Sequence, residues 1–292
     1  MTAPRALVTG ASGFVGGHLA RRLVAEGWDV HALVRPSSGA TPEGARRHVH
    51  DGSTASMHSL VAAARPEVVF HVASLVVVQH RPEDVAPLVE ANVLLGAQLC
   101  DAMAATGVKR LVHAATSWQH YQDADYQPVN LYAATKQAFA DLARYYAEAR
   151  GLTAVALELF DTYGPGDPRP KLVNLLARAA REGTPLSLSP GEQVLDLVHV
   201  DDVAEAFLGA ARVDTQEPAP AFALTSGARL TLRELVALFS RVAGRELPVT
   251  FGARPYRERE VMTPWSRGRP LPGWHARVSL EDGLRALLRA AS

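Results

Sequence analysis

Short runs of apolar, largely β-branched residues recur through the first 160 positions: "RALVTG", "DVHALVR", "EVVFHVAS", "RLVHAATS" and "TAVALELF". Each is bounded by turn residues and has the length of a strand buried on both faces. Between them, segments 14–26, 84–106 and 131–149 repeat apolar positions three and four apart, the period of an amphipathic helix. Strands alternating with helices predict βαβ units. Because crossovers are almost always right-handed, the economical topology is an α/β fold with a doubly wound parallel sheet.

After "YGPGDPRP" (163–170) the rhythm changes. A helix at about 171–182 is followed by a Pro/Gly-rich stretch, a strand "LDLVHV", a helix from Asp202, and a last third rich in Arg and Pro, loop-like over 251–275. The division expected is 1–165 plus about 194–226 as a sheet domain, and about 166–193 plus 227–292 as a smaller C-terminal substrate-binding domain. The second would cover the carboxyl ends of the strands, where open α/β sheets bind ligands. Asp201 and Asp202 read as N-cap residues more than as metal ligands.

Composition excludes several function classes. Of 292 residues 48% are apolar, and Lys plus Arg equal Asp plus Glu at 30 each, so no net field draws the chain to nucleic acid or an anionic membrane. The single Cys100 excludes a disulfide framework and reads as a small core residue. Without paired Cys or His-x-x-x-His spacing, no metal is expected. The longest apolar run, "VVFHVASLVVV" (68–78), is short of the roughly 20 residues a bilayer requires, and "MTAPRALVTG" enters a strand with no signal-peptide pattern. A cytoplasmic location without a membrane span is the expectation.

"VTGASGFVGGHLA" sets Gly10, Gly13 and Gly16 directly after the first strand and at the start of a helix. Side chains there would keep the amides of a helix N-terminus away from a pyrophosphate, so this strand, triplet and helix point to a dinucleotide and a Rossmann domain. An acidic residue ending the second strand would accept from a ribose 2′-hydroxyl, but "ALVRPSS" offers Arg35. A guanidinium suits a 2′-phosphate, which favours NADP(H) over NAD(H); the alternative is a solvated surface arginine. Asp51, after the next short strand, is either an acceptor for the adenine amino group or a turn residue.

Three of the 30 basic residues are lysines, Lys109, Lys136 and Lys171, and one of them stands four residues after Tyr132 in "NLYAATKQAF". Residues four apart share a helix face, and an ammonium near a phenol lowers its pKa from about 10 toward the range of a working acid. "HAATSWQHY" ends the preceding strand with Thr116 and Ser117, hydroxyls suited to hold a substrate oxygen. His113 and His120 also lie near this edge, where a lone histidine is more often structural.

With "TGASGFVG" (9–16), "ANVLLGAQLCDA" (91–102), "YAATK" (132–136), "LFDTYGPGD" (159–167) and "EQVLDLVHVDDVAEA" (192–206), the chain resembles over almost its whole length the extended short-chain dehydrogenase/reductase family of nucleotide-sugar epimerases, dehydratases and ketoreductases. The resemblance implies a catalytic set of Ser117, Tyr132 and Lys136 supported by Asn92. It implies cofactor contacts from Gly10, Ser12, Gly13, Phe14, Val15 and Gly16, from Arg35, Asp51 and Gly52, from Val72, Ala73 and Ser74, and from Tyr132, Lys136 and Tyr163. On the substrate side it points to Thr116, Ser117, Trp118 and Asp161, the last standing where relatives often have Asn and equally a loop residue. Many relatives carry a diphosphate-pairing arginine where this chain has Leu195, leaving Arg169, Lys171, Arg254 and Arg257 as candidate partners or as solvated charges. A homodimer through helices at about 90–106 and 131–149 is also implied, though their alanine-rich faces suit packing within one subunit as well.

Departures from the family narrow the activity. Ser117 is followed by Trp118 and Gln119 where dehydratases have an acidic pair, and no cysteine follows it as in reductases that also epimerise. The chain looks most like CDP- and dTDP-hexose synthases that reduce a 4-keto-6-deoxy sugar with NADPH. The alternatives are a reductase of a non-nucleotide ketone or aldehyde, an NAD-dependent nucleotide-sugar 4-epimerase, and a non-catalytic dinucleotide sensor.

Overall fold

Uninterrupted apolar runs need cover on both faces, and in the computed structural model, which describes residues 3–290, they have it. The main strands are β1 (Arg5–Thr9), β2 (Asp29–Val34), β3 (Arg46–Val49), β4 (Val68–His71), β5 (Arg110–Thr116) and β6 (Thr153–Leu159). Three short strands follow, β7 (Asp161–Tyr163), β8 (Leu186–Ser187) and β9 (Val194–His199), before β10 (Ala221–Leu224) returns to the sheet. The sheet is wholly parallel, in the order β10-β6-β5-β4-β1-β2-β3. It is therefore the doubly wound Rossmann sheet expected, and its order reverses between β1 and β4, where such sheets open a crevice at their carboxyl ends. The register aligns Thr9 with His71 and His71 with His113 across the three central strands.

One face is covered by α1 (Phe14–Ala25) and α7 (Val200–Arg212), whose Leu19, Leu23, Val203 and Phe207 join Val8, Phe70 and Val112 in one core. The other is covered by α2 (Thr54–Ala64), α4 (Leu95–Thr106) and α5 (Leu131–Arg150), with Met57, Leu99, Met103 and Phe139 in a second core. Gly96 allows the α4–α5 approach, since a β-carbon there would overlap the Phe139 ring. Helix α4 is continuous with a 3-10 turn (Pro82–Asp84), α3 (Val85–Val89) and a π-helical turn (Glu90–Leu94). By length and composition the run Pro82–Thr106 could cross a membrane, yet its Leu88, Leu99, Cys100 and Met103 are buried inside this fold.

A third core lies beneath two small sheets, β7-β9-β11 with β11 (Arg229–Thr231), and β8-β12 with β12 (Val249–Thr250). It gathers Leu176 of α6 (Leu172–Glu182), Leu235 and Phe239 of α8 (Leu232–Ala243), and Leu284 of α9 (Leu280–Ala290). The loop-like C-terminal stretch runs back to the sheet. Ala223 N–H donates to the Arg269 carbonyl at 2.8 Å, and Leu271, Trp265 and Trp274 pack on the first core. The caps expected at Asp201 and Asp202 are corrected: His199 is the N-cap of α7, Asp201 pairs with His18 at 3.0 Å, and Asp202 accepts from the Arg277 and Val278 amides.

Candidate active site

The glycine loop joins β1 to α1 at the crevice. Gly10 has φ +73°, and a β-carbon on it would stand 2.8 Å from the Ala73 backbone. A β-carbon on Gly16 would overlap the Gly10 carbonyl, while Gly13, the N-cap of α1, has no side chain to occupy its free amides. The α1 N-terminus thus presents unshielded N–H groups beside the Val72–Ala73–Ser74 loop. Phe14 is buried with its ring edge-on to His18, Val15 is half-buried against the first core, and Ser12 is exposed. This cradle, which any β-carbon would fill, fits a dinucleotide pyrophosphate.

At the end of β2, Arg35 is exposed, and its N–H donates to Ser38 Oγ at 3.1 Å in a tight turn. Arg47 of β3, which the sequence did not single out, fastens that turn by donating to the Gly39 and Ser38 carbonyls at 2.7 and 3.2 Å. Two guanidiniums therefore border the edge where a dinucleotide ribose would lie. Asp51 accepts from Ser53 N–H at 2.8 Å, which holds its carboxyl below the usual range, and the Gly52 carbonyl accepts from Gln98.

Helix α5 begins at Asn130, whose side chain caps Ala133 N–H, and this sets Tyr132 and Lys136 on the buried face of its first turns. The Tyr132 phenol is 8% exposed and lies against the Ser74 and Thr116 hydroxyls. Burial pushes its pKa up, more than those hydroxyls and the Arg169 charge pull it down. The lowered phenol expected from the sequence is thus corrected for the protein alone, because desolvation outweighs charge. Lys136 is 1% exposed, its Nζ has no hydrogen-bond partner among the described residues, and burial lowers its pKa to about 8. A buried ammonium with no partner fits a cofactor ribose hydroxyl as acceptor, so the residues present fit a nicotinamide dinucleotide.

Asn92 occupies the π-helical turn, fully buried. Its Oδ1 accepts from Leu75 N–H at 2.8 Å and Ser74 Oγ at 3.1 Å. Its Nδ2 donates to the Leu75 carbonyl at 2.9 Å and Thr135 Oγ1 at 3.0 Å. Thr135 in turn donates to the Tyr132 carbonyl at 2.7 Å, so one amide ties the loop after β4 to α5. An extra residue in a helix is a recurrent means of re-aiming a functional side chain.

A cavity of about 50 Å³ opens beside this group, between the end of β5, the strands β7 and β9, and the segment 257–265. Ser117, Trp118, Asp161, Leu195 and Arg257 line it. Trp118 stands edge-on to Tyr132 at 6.4 Å and beneath Arg257 at 5.7 Å, while Arg257 is held bidentately by Glu260 at 2.9 and 2.6 Å. Lys171 is half-buried near Asp161. Gln119 is buried in support, accepting from Thr116 N–H and donating to Gln137.

Two expected contacts are corrected, those of Tyr163 and Arg254. Tyr163 is directed into the third core, its ring edge-on to His199 and its hydroxyl where a β-carbon on Gly283 would sit. Arg169, bound bidentately by Asp167 at 2.6 and 2.8 Å and covering Phe14, keeps its charge near Tyr132 and Lys171 and stands as a candidate partner like Arg257. Arg254 is exposed, its backbone pinned to Leu188, and it does not line the cavity. Conversely His120, Tyr121, Asp196 and Trp265 line the cavity and were not singled out as substrate contacts. Their only sequence signal was aromatic density near Ser117 and in the last third.

Comparisons agree with this geometry. Residues 6–222 match the model of the NAD dependent epimerase/dehydratase family. The UDP-glucose 4-epimerase of Mycolicibacterium smegmatis is 28% identical over 96% of each chain. The dTDP-6-deoxy-L-talose 4-dehydrogenase (NAD(P)(+)) of Kitasatospora kifunensis is 29% identical over 100% of this chain and 98% of its own. Among solved structures, MoeE5 in complex with UDP-glucose and NAD superposes with a TM-score of 0.88 at 27% identity, covering 98% of both chains. With a matching dinucleotide cradle, a tyrosine and lysine pair at the crevice and a family match over most of its length, the chain belongs to the NAD dependent epimerase/dehydratase family and is an enzyme of that oxidoreductase and epimerase class.

Proposed function

We propose that the protein is an NADP(H)-preferring ketoreductase that reduces the 4-keto group of a nucleotide-activated 6-deoxyhexose. The observation that carries the reading is the basic edge at the end of β2, where Arg35 and Arg47 stand and no carboxylate takes the place of the usual ribose acceptor. Such an edge favours a 2′-phosphorylated cofactor that exchanges after each turnover, and with it net reduction. When bound, NADPH supplies the hydride. Tyr132 delivers a proton to the ketone oxygen, Ser117 and Thr116 hold that oxygen, and Lys136 supports the phenolate left behind. With Trp118 and the structurally engaged Gln119 after Ser117, no acidic pair is present to eliminate water from the ring. Arg169, Lys171 and Arg257 are the candidate partners for a diphosphate.

A second reading, a nucleotide-sugar 4-epimerase, is favoured by the UDP-glucose 4-epimerase similarity. Both readings use Tyr132 but differ in whether cofactor is consumed. Stoichiometric NADPH oxidation with a 4-keto-6-deoxy nucleotide sugar, abolished in Tyr132→Phe with NADPH binding retained, is the expected result. Interconversion of UDP-glucose and UDP-galactose without NADPH oxidation would replace the first reading by the second. A dimer is proposed with either, through the helices at about 90–106 and 131–149.

A further inference from the structure

The loop after β5 and the C-terminal segment are buckled together at the wall of the cavity. His120 lies face to face with Trp265, ring centroids 3.7 Å apart and 12° from parallel. Both its nitrogens meet acceptors: Nε2 faces the buried Glu158 carboxylate at 3.0 Å, and Nδ1 faces the carbonyls of Asp125 at 2.7 Å and Ala124 at 3.2 Å. A neutral imidazole carries one N–H and would set a lone pair against one of these oxygens, so the site selects the doubly protonated ring. A buried imidazolium parallel to a half-buried indole is a cation–π pair.

Around this stack the segment 264–268 is fastened as a strap. Ser266 donates to the Asp123 carboxylate from N–H at 2.8 Å and Oγ at 3.2 Å, Arg267 pairs with Asp123 at 3.4 Å and Asp125 at 3.0 Å, and Arg229 donates to the Trp265 carbonyl at 2.8 Å. Gln122 and Asp123 adopt φ of 54° and 59°, left-handed conformations that non-glycine residues hold only where their surroundings impose them. His120, Tyr121, Pro264 and Trp265 line the same cavity as Ser117 and Asp161.

We infer that His120 is a positioning residue: clamped as an imidazolium by Glu158, it holds Trp265 and the strap as a wall of the substrate cavity, so that substrate affinity follows the protonation of His120. The inference rests on that cavity taking the substrate. Burial opposes the charge, but Glu158 and the two carbonyls outweigh it and raise the imidazole above its ordinary range. The other charged groups around the stack are Asp123 and Asp125 on its own loop, Arg267 on the strap, Arg229 beneath it and Arg259 over Tyr121, with Asp161, Asp196, Arg257 and Glu260 around the cavity; none ordinarily titrates between about pH 6 and 9. A raised pKa means that the clamp is complete below about pH 6.5 and is released as pH rises through the folded value.

A stacked imidazolium quenches indole emission, so tryptophan fluorescence reads the clamp directly. Between about pH 5 and 10 the wild type should show one rise in emission, centred above about 6.5. The rise should vanish in Trp265→Phe and His120→Gln, and move to lower pH in Glu158→Gln. KM for the keto sugar should climb about tenfold through the same step while kcat keeps its own profile, the scale of one desolvated cation–π contact. His120→Gln should hold the high KM at every pH, and His120→Arg, a permanent cation, should recover a low one. An emission step that survives in Trp265→Phe, or a wild-type KM in His120→Gln at low pH, overturns the inference. Absence of any turnover would instead defeat the ketoreductase reading. The clamp is then judged by emission and by trypsin cleavage after Arg267, which should quicken above the step; cleavage independent of pH overturns it.

Discussion

Lys136 shows how a single residue is set against stability for the sake of a site. Its ammonium is buried, has no hydrogen-bond partner among the described residues, and has a pKa lowered to about 8. Between that value and its ordinary one the unfolded chain binds the proton more tightly, so the folded state is penalised below about pH 8 and relieved as pH rises toward 10.5. Replacing Lys136 by Met should therefore stabilise the cofactor-free protein at neutral pH, by on the order of 3 kcal/mol at most, while abolishing turnover. Thermal melting with and without NADPH, beside a kcat measurement, checks both halves. That Tyr132 and Lys136 share the buried face of one helix was legible in their spacing, whereas the sign of the Tyr132 shift was not. Spacing shows which charges lie near, but desolvation depends on what covers them.

Among the elements, the composite helix Pro82–Thr106 is where function departs from regular geometry. A continuous α-helix would be the default for its sequence, yet it takes a π turn at Glu90–Leu94 and turns Asn92 inward to bridge Leu75 and Thr135. Asn92→Leu should leave the Leu75 N–H and carbonyl without those partners and cost about 2–4 kcal/mol. It should also lower kcat by up to about 100-fold through misplacement of Tyr132, with a smaller change in KM. Equal losses of kcat and stability in Thr135→Val would extend the bridge to that residue, and an unchanged kcat in Asn92→Leu would remove Asn92 from the site. Periodicity announced this helix but not its π turn, because an inserted residue alters the backbone without altering composition.

At the scale of the whole molecule, α4 and α5 pack on each other within one chain through Gly96 and Phe139, while Val85, Val89, Leu94 and Tyr145 remain between 41% and 54% exposed. A row of such side chains suits a second copy of the same chain, burying each protomer's row against the other's. Light scattering should give the mass of two chains, and the double substitution Leu94→Glu with Tyr145→Glu should reduce it to one. A monomeric wild type would leave these residues as surface.

By itself the sequence determined the alternation of strands and helices, the glycine cradle and the tyrosine and lysine pair, because each depends on residues within about two helical turns of one another. The tertiary structure alone decided what covers each polar group: it buried Lys136 on α5 and tied the Asn92 amide to Leu75 and Thr135, 17 and 43 positions away. It also brought Trp265 onto His120, 145 positions away in the chain, and so set the wall of the cavity. Short-range patterns follow from backbone geometry, whereas pairings between distant side chains exist only once the cores have closed and fixed what each charge and each ring must face.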